Sequence, residues 1–139
     1  PAGATGGRPR RHVVNRDAEL LWPGVRAMLV EDHPVLRRIL AQTLATLGFD
    51  VATVGDADQA RAAIERDGCP ELLFSDVRMP GSMTGIELAR WVRERYPAAR
   101  ILLQTGYAVG DATGFVTLTK PFSAEQLLEA IKATGLAPR

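Results

Sequence analysis

The chain has 139 residues, 46% hydrophobic and 24% charged, with a formal net charge of +1 and a single cysteine. That length supports one domain with its own core, and one cysteine excludes an intrachain disulfide, as suits a reducing compartment. No apolar run approaches the roughly 20 residues of a membrane helix, and the N-terminus lacks the basic-then-apolar pattern of a secretory signal. A cytoplasmic protein is therefore expected, and a start at Pro1 instead of Met suggests a piece of a longer one.

Residues 1–24 mix Gly, Pro and Ala with Arg8, Arg10, Arg11 and Arg16 against Asp17 and Glu19. This is the composition of a solvated, flexible linker, and the basic pI belongs to it. No helix-turn-helix, zinc-finger or RNA-binding pattern accompanies these arginines, so direct nucleic-acid binding is not expected. Asp17–Trp22 has room for a short helix, or for Trp22 to pack on the domain, before Pro23-Gly24 ends the segment.

From Val25 short apolar runs alternate with amphipathic stretches. Arg26–Val30 reads as a strand buried on both faces. Pro34 suits a first helical turn, and Val35, Leu36, Ile39, Leu40, Thr43, Leu44 and Leu47 recur at helical spacing until Gly48. Asp50–Val54 is a second strand. Asp56 caps a helix that turns Ala60, Ala63 and Ile64 inward and closes at Gly68. Leu72–Ser75 is a third strand, with Cys69 in the loop before it. Gly85–Tyr96 reads as a helix packing through Ile86, Ala89, Trp91 and Val92, and Pro97 ends it. Arg100–Thr105 and Phe115–Thr119 are the fourth and fifth strands. Ser123 caps a last helix with Leu127, Leu128 and Ile131 on one face, finishing at Gly135. The domain spans residues 25–136, and 137–139 form a short tail.

Strands alternating with helices imply a parallel sheet covered on both faces. Five strands at this spacing predict an α/β, flavodoxin-like (βα)5 three-layer sandwich in the order 2-1-3-4-5, with the ligand site outside the carboxyl ends of the strands. The segment between Tyr107 and Phe115 is short and holds Gly110 and Gly114, so the fourth of five helices should be reduced.

The carboxyl ends carry the chemistry. Glu31 and Asp32 follow the first strand, Asp76 the third, Thr105 ends the fourth, and Lys120-Pro121 follows the fifth. Carboxylates gathered on one edge repel one another unless a cation neutralises them. Oxygen ligands without a second imidazole or a thiol select Mg²⁺, Mn²⁺ or Ca²⁺ over zinc, and His33 beside the acidic pair reads as a solvent-facing turn residue. Mg²⁺ shares few protein carboxylates with phosphate oxygens, and Lys120 and Thr105 are suited to hold the other oxygens of such a group. A central aspartate can then act as nucleophile and carry an acyl phosphate.

Met28-Leu-Val-Glu-Asp32, Phe74-Ser-Asp76-Val-Arg-Met-Pro80, Leu102-Leu-Gln-Thr105-Gly-Tyr107 and Leu118-Thr-Lys120-Pro-Phe122 resemble the four signature segments of bacterial response-regulator receiver domains. The resemblance covers roughly residues 25 to 136. It implies a two-component phosphorelay module, a signalling switch more than an enzyme, whose partner is a histidine kinase or phosphotransfer protein. Asp76 would be the phosphoacceptor. Asp32, Asp76 and the Arg78 carbonyl would bind Mg²⁺ (or Mn²⁺), with Glu31 acting partly through water. Lys120 would pair with the phosphoryl group, Thr105 would donate to it, and the Val77 and Gly106 amides would complete the cradle. Gly85 matches the loop into the third helix. Arg78 and Tyr107 occupy places that tune phosphoryl lifetime in relatives. Thr117 stands where the family usually carries an aromatic switch residue. Together with the reduced helix, the Leu-Gln-Thr-Gly-Tyr-Ala stretch is similar to receivers at the C-terminal end of hybrid histidine kinases, which implies a kinase or effector domain elsewhere in the chain.

Other readings remain beside this one. Asp32 is placed to cap the first helix. Thr117 and the short fourth helix suit a module that docks partners without phosphate control. A phosphatase of the haloacid-dehalogenase type also uses Asp, Thr, Lys and Mg²⁺, but needs a second Asp two residues after the nucleophile, where this chain has Arg78. Trp91 and Tyr96 read as packing residues, and Cys69 as an unreactive thiol.

Overall fold

The computed structural model describes residues 20–106 and 114–139. Five strands, β1 (Arg26–Val30), β2 (Asp50–Val54), β3 (Leu72–Asp76), β4 (Arg100–Thr105) and β5 (Val116–Thr119), form one sheet in the order β2-β1-β3-β4-β5. Every neighbouring pair is parallel. Among the described residues, α1 (Pro34–Thr46), α2 (Ala57–Asp67) and α3 (Gly85–Arg95) make the crossovers between β1 and β2, β2 and β3, and β3 and β4, and α4 (Ala124–Ala133) follows β5. This is the flavodoxin-like arrangement read from the sequence. Residues 107–113, where the reduced helix is expected, lie outside the described residues, as do residues 1–19 of the basic lead and, with them, His12.

Alternation along the strands sorts the core into two layers. Ala27, Leu29, Leu72, Phe74 and Leu102 pack with Leu40 and Leu44 of α1 and Leu127 and Ile131 of α4. Met28, Val30, Leu73, Ile101 and Leu103 face Ala57, Ala60 and Ile64 of α2 and Leu88, Ala89 and Val92 of α3. Leu88 belongs to this core although the spacing argument passed it over, while Ile86 and Trp91 lie at its margin. The apolar stripe on α1 is wider than the face the sheet covers, and it leaves Val35 and Ile39 exposed (54% and 53%).

Trp22 packs on the domain, one of the two placements its segment leaves open, although composition bounds the linker at residue 24. Trp22 is fully buried, stacks on Phe49 with ring centroids 5.2 Å apart, and donates from Nε1 to the Leu136 carbonyl. Its amide donates to the Leu47 carbonyl. Gly48 adopts φ +106°, and a Cβ there would stand 2.8 Å from the Trp22 carbonyl carbon; only glycine lets this strap cross the end of α1. The tail is tied down as well, since the Arg139 amide donates to the Leu21 carbonyl and its guanidinium pairs with Glu71.

Replacing a buried tryptophan by alanine removes contacts worth about 3–5 kcal/mol. Trp22→Ala, and a truncation beginning at Val25, should each lower the free energy of urea unfolding by about that much, whereas truncation at Leu20 should cost little. Wild-type stability in the Val25 truncation would show that the strap adds nothing to the fold.

Candidate functional site

Parallel register builds the site. Val30 pairs with Ser75 and Asp76 with Gln104, so Glu31, Asp76 and Gln104 form a lateral row on the face covered by α1 and α4. Asp32 and Thr105 alternate to the other side of their strand ends. All stand at the carboxyl edge, where the crossovers begin.

Asp76 is 7% exposed and Glu31 1% exposed, while Asp32 is open to solvent. One carboxylate oxygen from each of the three lies within 4.8 Å of the others. Lys120 Nζ reaches Asp76 Oδ2 at 2.7 Å and Glu31 Oε1 at 3.8 Å, which brings a cation into the acidic row. Glu31 Oε2 accepts from the His33 amide at 3.1 Å, Oε1 from Gln104 Nε2 at 3.2 Å, and its main-chain carbonyl from Arg37 Nη1 at 2.8 Å. Burial nevertheless holds the Glu31 carboxyl above its ordinary 4.5; the His33 amide and Lys120 oppose that rise, while Asp76 adds to it. A clustered set of hard oxygens suits Mg²⁺ and its neighbours in that class.

The loop after β3 is fixed from three sides. Gly85 opens α3 so close to the sheet that a Cβ would fall 1.9 Å from the Asp76 carbonyl oxygen. Its amide donates to the Val77 carbonyl. Thr84 and Glu87 form a reciprocal capping box. Asp58 in the first turn of α2 accepts from the Ser82 amide (3.1 Å) and hydroxyl (2.8 Å).

One assignment changes, and one alternative reading falls away. The Val77 amide, expected in the phosphoryl cradle, donates to the Gln104 carbonyl at 2.8 Å and prolongs the β3–β4 ladder. The amide that turns to the carboxylate is that of Arg78, donating to Asp76 Oδ1 at 3.1 Å. His33, not Asp32, caps α1, with Nδ1 accepting from the Leu36 amide, and Asp32 is left with the acidic set. Thr105 is buried (2%) at the end of β4 and Gly106 follows it, exposed. Tyr107 lies outside the described residues. Thr117 donates its hydroxyl to the Phe115 carbonyl. Burial pushes the Cys69 thiol up to about 11, with only a lesser opposing pull from Arg26, so it is a poor nucleophile. Sequence reasoning missed Gln104, whose one visible signal was a carboxamide inside an otherwise apolar strand.

Residues 27–132 match the sequence model of the response regulator receiver domain. The chain belongs to that family. Over 114 residues, 77% of its length, it is 37% identical to the C4-dicarboxylate transport transcriptional regulatory protein DctD of Pseudomonas aeruginosa, of which it covers 24%. It is 32% identical over 116 residues to the probable transcriptional regulatory protein TcrX of Mycobacterium tuberculosis, covering 78% of this chain and 49% of that one. The chain thus spans between a quarter and a half of these relatives. Among solved structures, the response regulator TrrA of Thermotoga maritima in complex with Mg²⁺-BeF superposes with a TM-score of 0.70 at 26% identity, covering 79% of this chain and 98% of that one. The chemotaxis regulator CheY4 of Vibrio cholerae gives 0.69 at 30% identity, covering 80% and 98%. The receiver domain is a phosphorylation-controlled signalling module, and among the described residues no helix is long and apolar enough to cross a membrane.

Because Glu31 holds its proton more tightly in the folded chain than in the unfolded one, the folded state retains more of that proton than the unfolded state once pH exceeds about 4.5. Stability without divalent metal must therefore fall as pH rises through the raised pKa of Glu31. Urea midpoints measured from pH 4.5 to neutrality should show that fall in the wild type and a flatter profile in Glu31→Gln. Equal slopes in the two proteins would count against a burial penalty on this carboxyl.

Proposed function

We propose that this receiver takes a phosphoryl group from the phosphohistidine of a histidine kinase or phosphotransfer protein onto Asp76, in a reaction that requires Mg²⁺ (Mn²⁺ being of the same ligand class). The observation that carries the reading is the 2.7 Å contact of Lys120 Nζ with Asp76 Oδ2 inside a cluster of three carboxylates.

An Asp76 carboxylate oxygen attacks phosphorus, the P–N bond breaks, and the imidazole leaves with the bonding pair; the product is an acyl phosphate on Asp76. Before transfer, Lys120 balances part of the negative row. After transfer its ammonium pairs with a phosphoryl oxygen, the Thr105 hydroxyl donates to another, and the Arg78 and Gly106 amides supply further donors. Glu31, Asp32, Asp76 and the Arg78 carbonyl would hold Mg²⁺, whose charge offsets the carboxylates and the incoming phosphoryl oxygens. Water attack on the acyl phosphate returns Asp76 and inorganic phosphate. Arg78 and Tyr107 stand in the sequence two residues beyond Asp76 and Thr105, the places that tune phosphoryl lifetime in relatives; a bulky pair there slows water attack, so Arg78→Ala with Tyr107→Ala shortens the lifetime. Arg78 stands two residues after Asp76, where an aspartyl phosphatase of the haloacid-dehalogenase type carries its acid/base Asp, and this argues against repeated turnover of phosphate esters.

Output passes to a partner or to a domain outside residues 1–139, since the relatives are longer proteins named as transcriptional regulators. Thr117, bonded to the Phe115 carbonyl, supports a second reading in which readout runs without an aromatic switch and the module chiefly docks partners. In a beryllofluoride titration, amide shifts confined to the pocket would favour docking alone, and shifts reaching β5 and α4 would favour the switch.

Acetyl phosphate with Mg²⁺ should place one acid-stable, base-labile phosphoryl group on the wild-type chain. Chelation of the metal should remove at least 90% of the label, an effect of about tenfold or more, and Asp76→Asn should abolish it. Undiminished label on Asp76→Asn would eliminate the assignment.

A further inference from the structure

Gln104 is fully buried on β4, beside Asp76 in the register of the sheet. Its Nε2 donates to Glu31 Oε1 at 3.2 Å, joining residues 73 positions apart on strands that are not neighbours. Adjacent strands lie about 4.8 Å apart, so β1 and β4 are separated by about twice that. Only two long side chains, reaching over the shorter Asp76 between them, can meet. The carboxamide is costly where it lies. Its Oε1 is buried and has no hydrogen-bond partner among the described residues, a cost of its own that an aliphatic side chain would not carry.

What the amide secures is the orientation of Glu31. With Gln104 on Oε1 and the His33 amide on Oε2, both carboxylate oxygens are held by donors, while Arg37 pins the main-chain carbonyl of the same residue. A neutral donor is the suitable group here. A carboxylate at 104 would add a fourth negative charge to the acidic set of Glu31, Asp32 and Asp76, and an apolar side chain would leave a buried Glu31 oxygen without its donor.

We infer that Gln104 is a positioning residue, which holds the Glu31 carboxylate turned toward Asp32 and Asp76 and so preorganises the acidic set for a divalent cation. The inference rests on the Mg²⁺-dependent phosphoacceptor reading and adds a residue to it. Partners that orient metal ligands in this way typically change metal affinity by about 10–100-fold when removed.

The test is a Mg²⁺ titration of the whole chain followed by amide chemical shifts, with no phosphodonor present. Gln104→Met should weaken Mg²⁺ binding about tenfold, and Gln104→Asn, one methylene too short to reach Glu31, should do the same; the Asn variant carries the test if the Met variant does not fold. In a Glu31→Gln background neither change should weaken binding further. Wild-type affinity in the Gln104 variants, or an equal loss with and without Glu31, would overturn the role of Gln104 alone. A wild-type chain with no Mg²⁺ affinity would overturn the phosphoacceptor reading along with it.

Discussion

Three carboxylates crowded at one edge of a parallel sheet oppose their own assembly, and the rest of the molecule is arranged to hold them there. Glu31 and Asp76 are almost out of water, where a carboxylate without a counter-charge is costly. Lys120 meets that cost from β5, the far edge of the sheet, through its contacts with both. The compensation is partial, as the raised Glu31 pKa shows. An acidic cluster of this kind, one of its members strongly desolvated, could hold a cation.

The two-layered core makes such a cluster tolerable. Trp22, Phe49 and Phe74 on one side and the aliphatic residues of α2 and α3 on the other hold the strands in register. Register, in turn, aligns Glu31, Asp76 and Gln104. The close approach of α3 to Asp76, possible only because residue 85 has no side chain, brings the Arg78 amide to the carboxylate without surrendering the ladder bond of Val77. Each device trades local freedom for a fixed arrangement of charge.

Much of this was legible in the sequence. Short apolar runs located every described strand and 3.6-residue patterns every described helix, and the rule for parallel sheets placed the strands' carboxyl ends together. What escaped were matters of hydrogen bonding and packing. The spacing on α3 shows several apolar positions but does not tell which of Leu88, Ile86 or Trp91 turns inward. The Val77 amide read as a cradle donor because register was inferred only to the strand and not to the individual bond. Trp22 sits in a stretch whose glycines, prolines and arginines read as linker, and its packing on the domain is there only one of two placements.

The order of residue types along the chain determined the class of fold and the membership of the acidic site, because periodicity and strand ends are properties of neighbouring residues. Only the folded molecule decided that His33 caps α1 in place of Asp32, that the strap at Trp22 belongs to the core, and that Gln104 reaches Glu31 across an intervening strand. Apart from the local cap at His33, those contacts join segments separated by up to 114 residues. Their geometry depends on the packing of the whole sheet, which no short window of sequence contains.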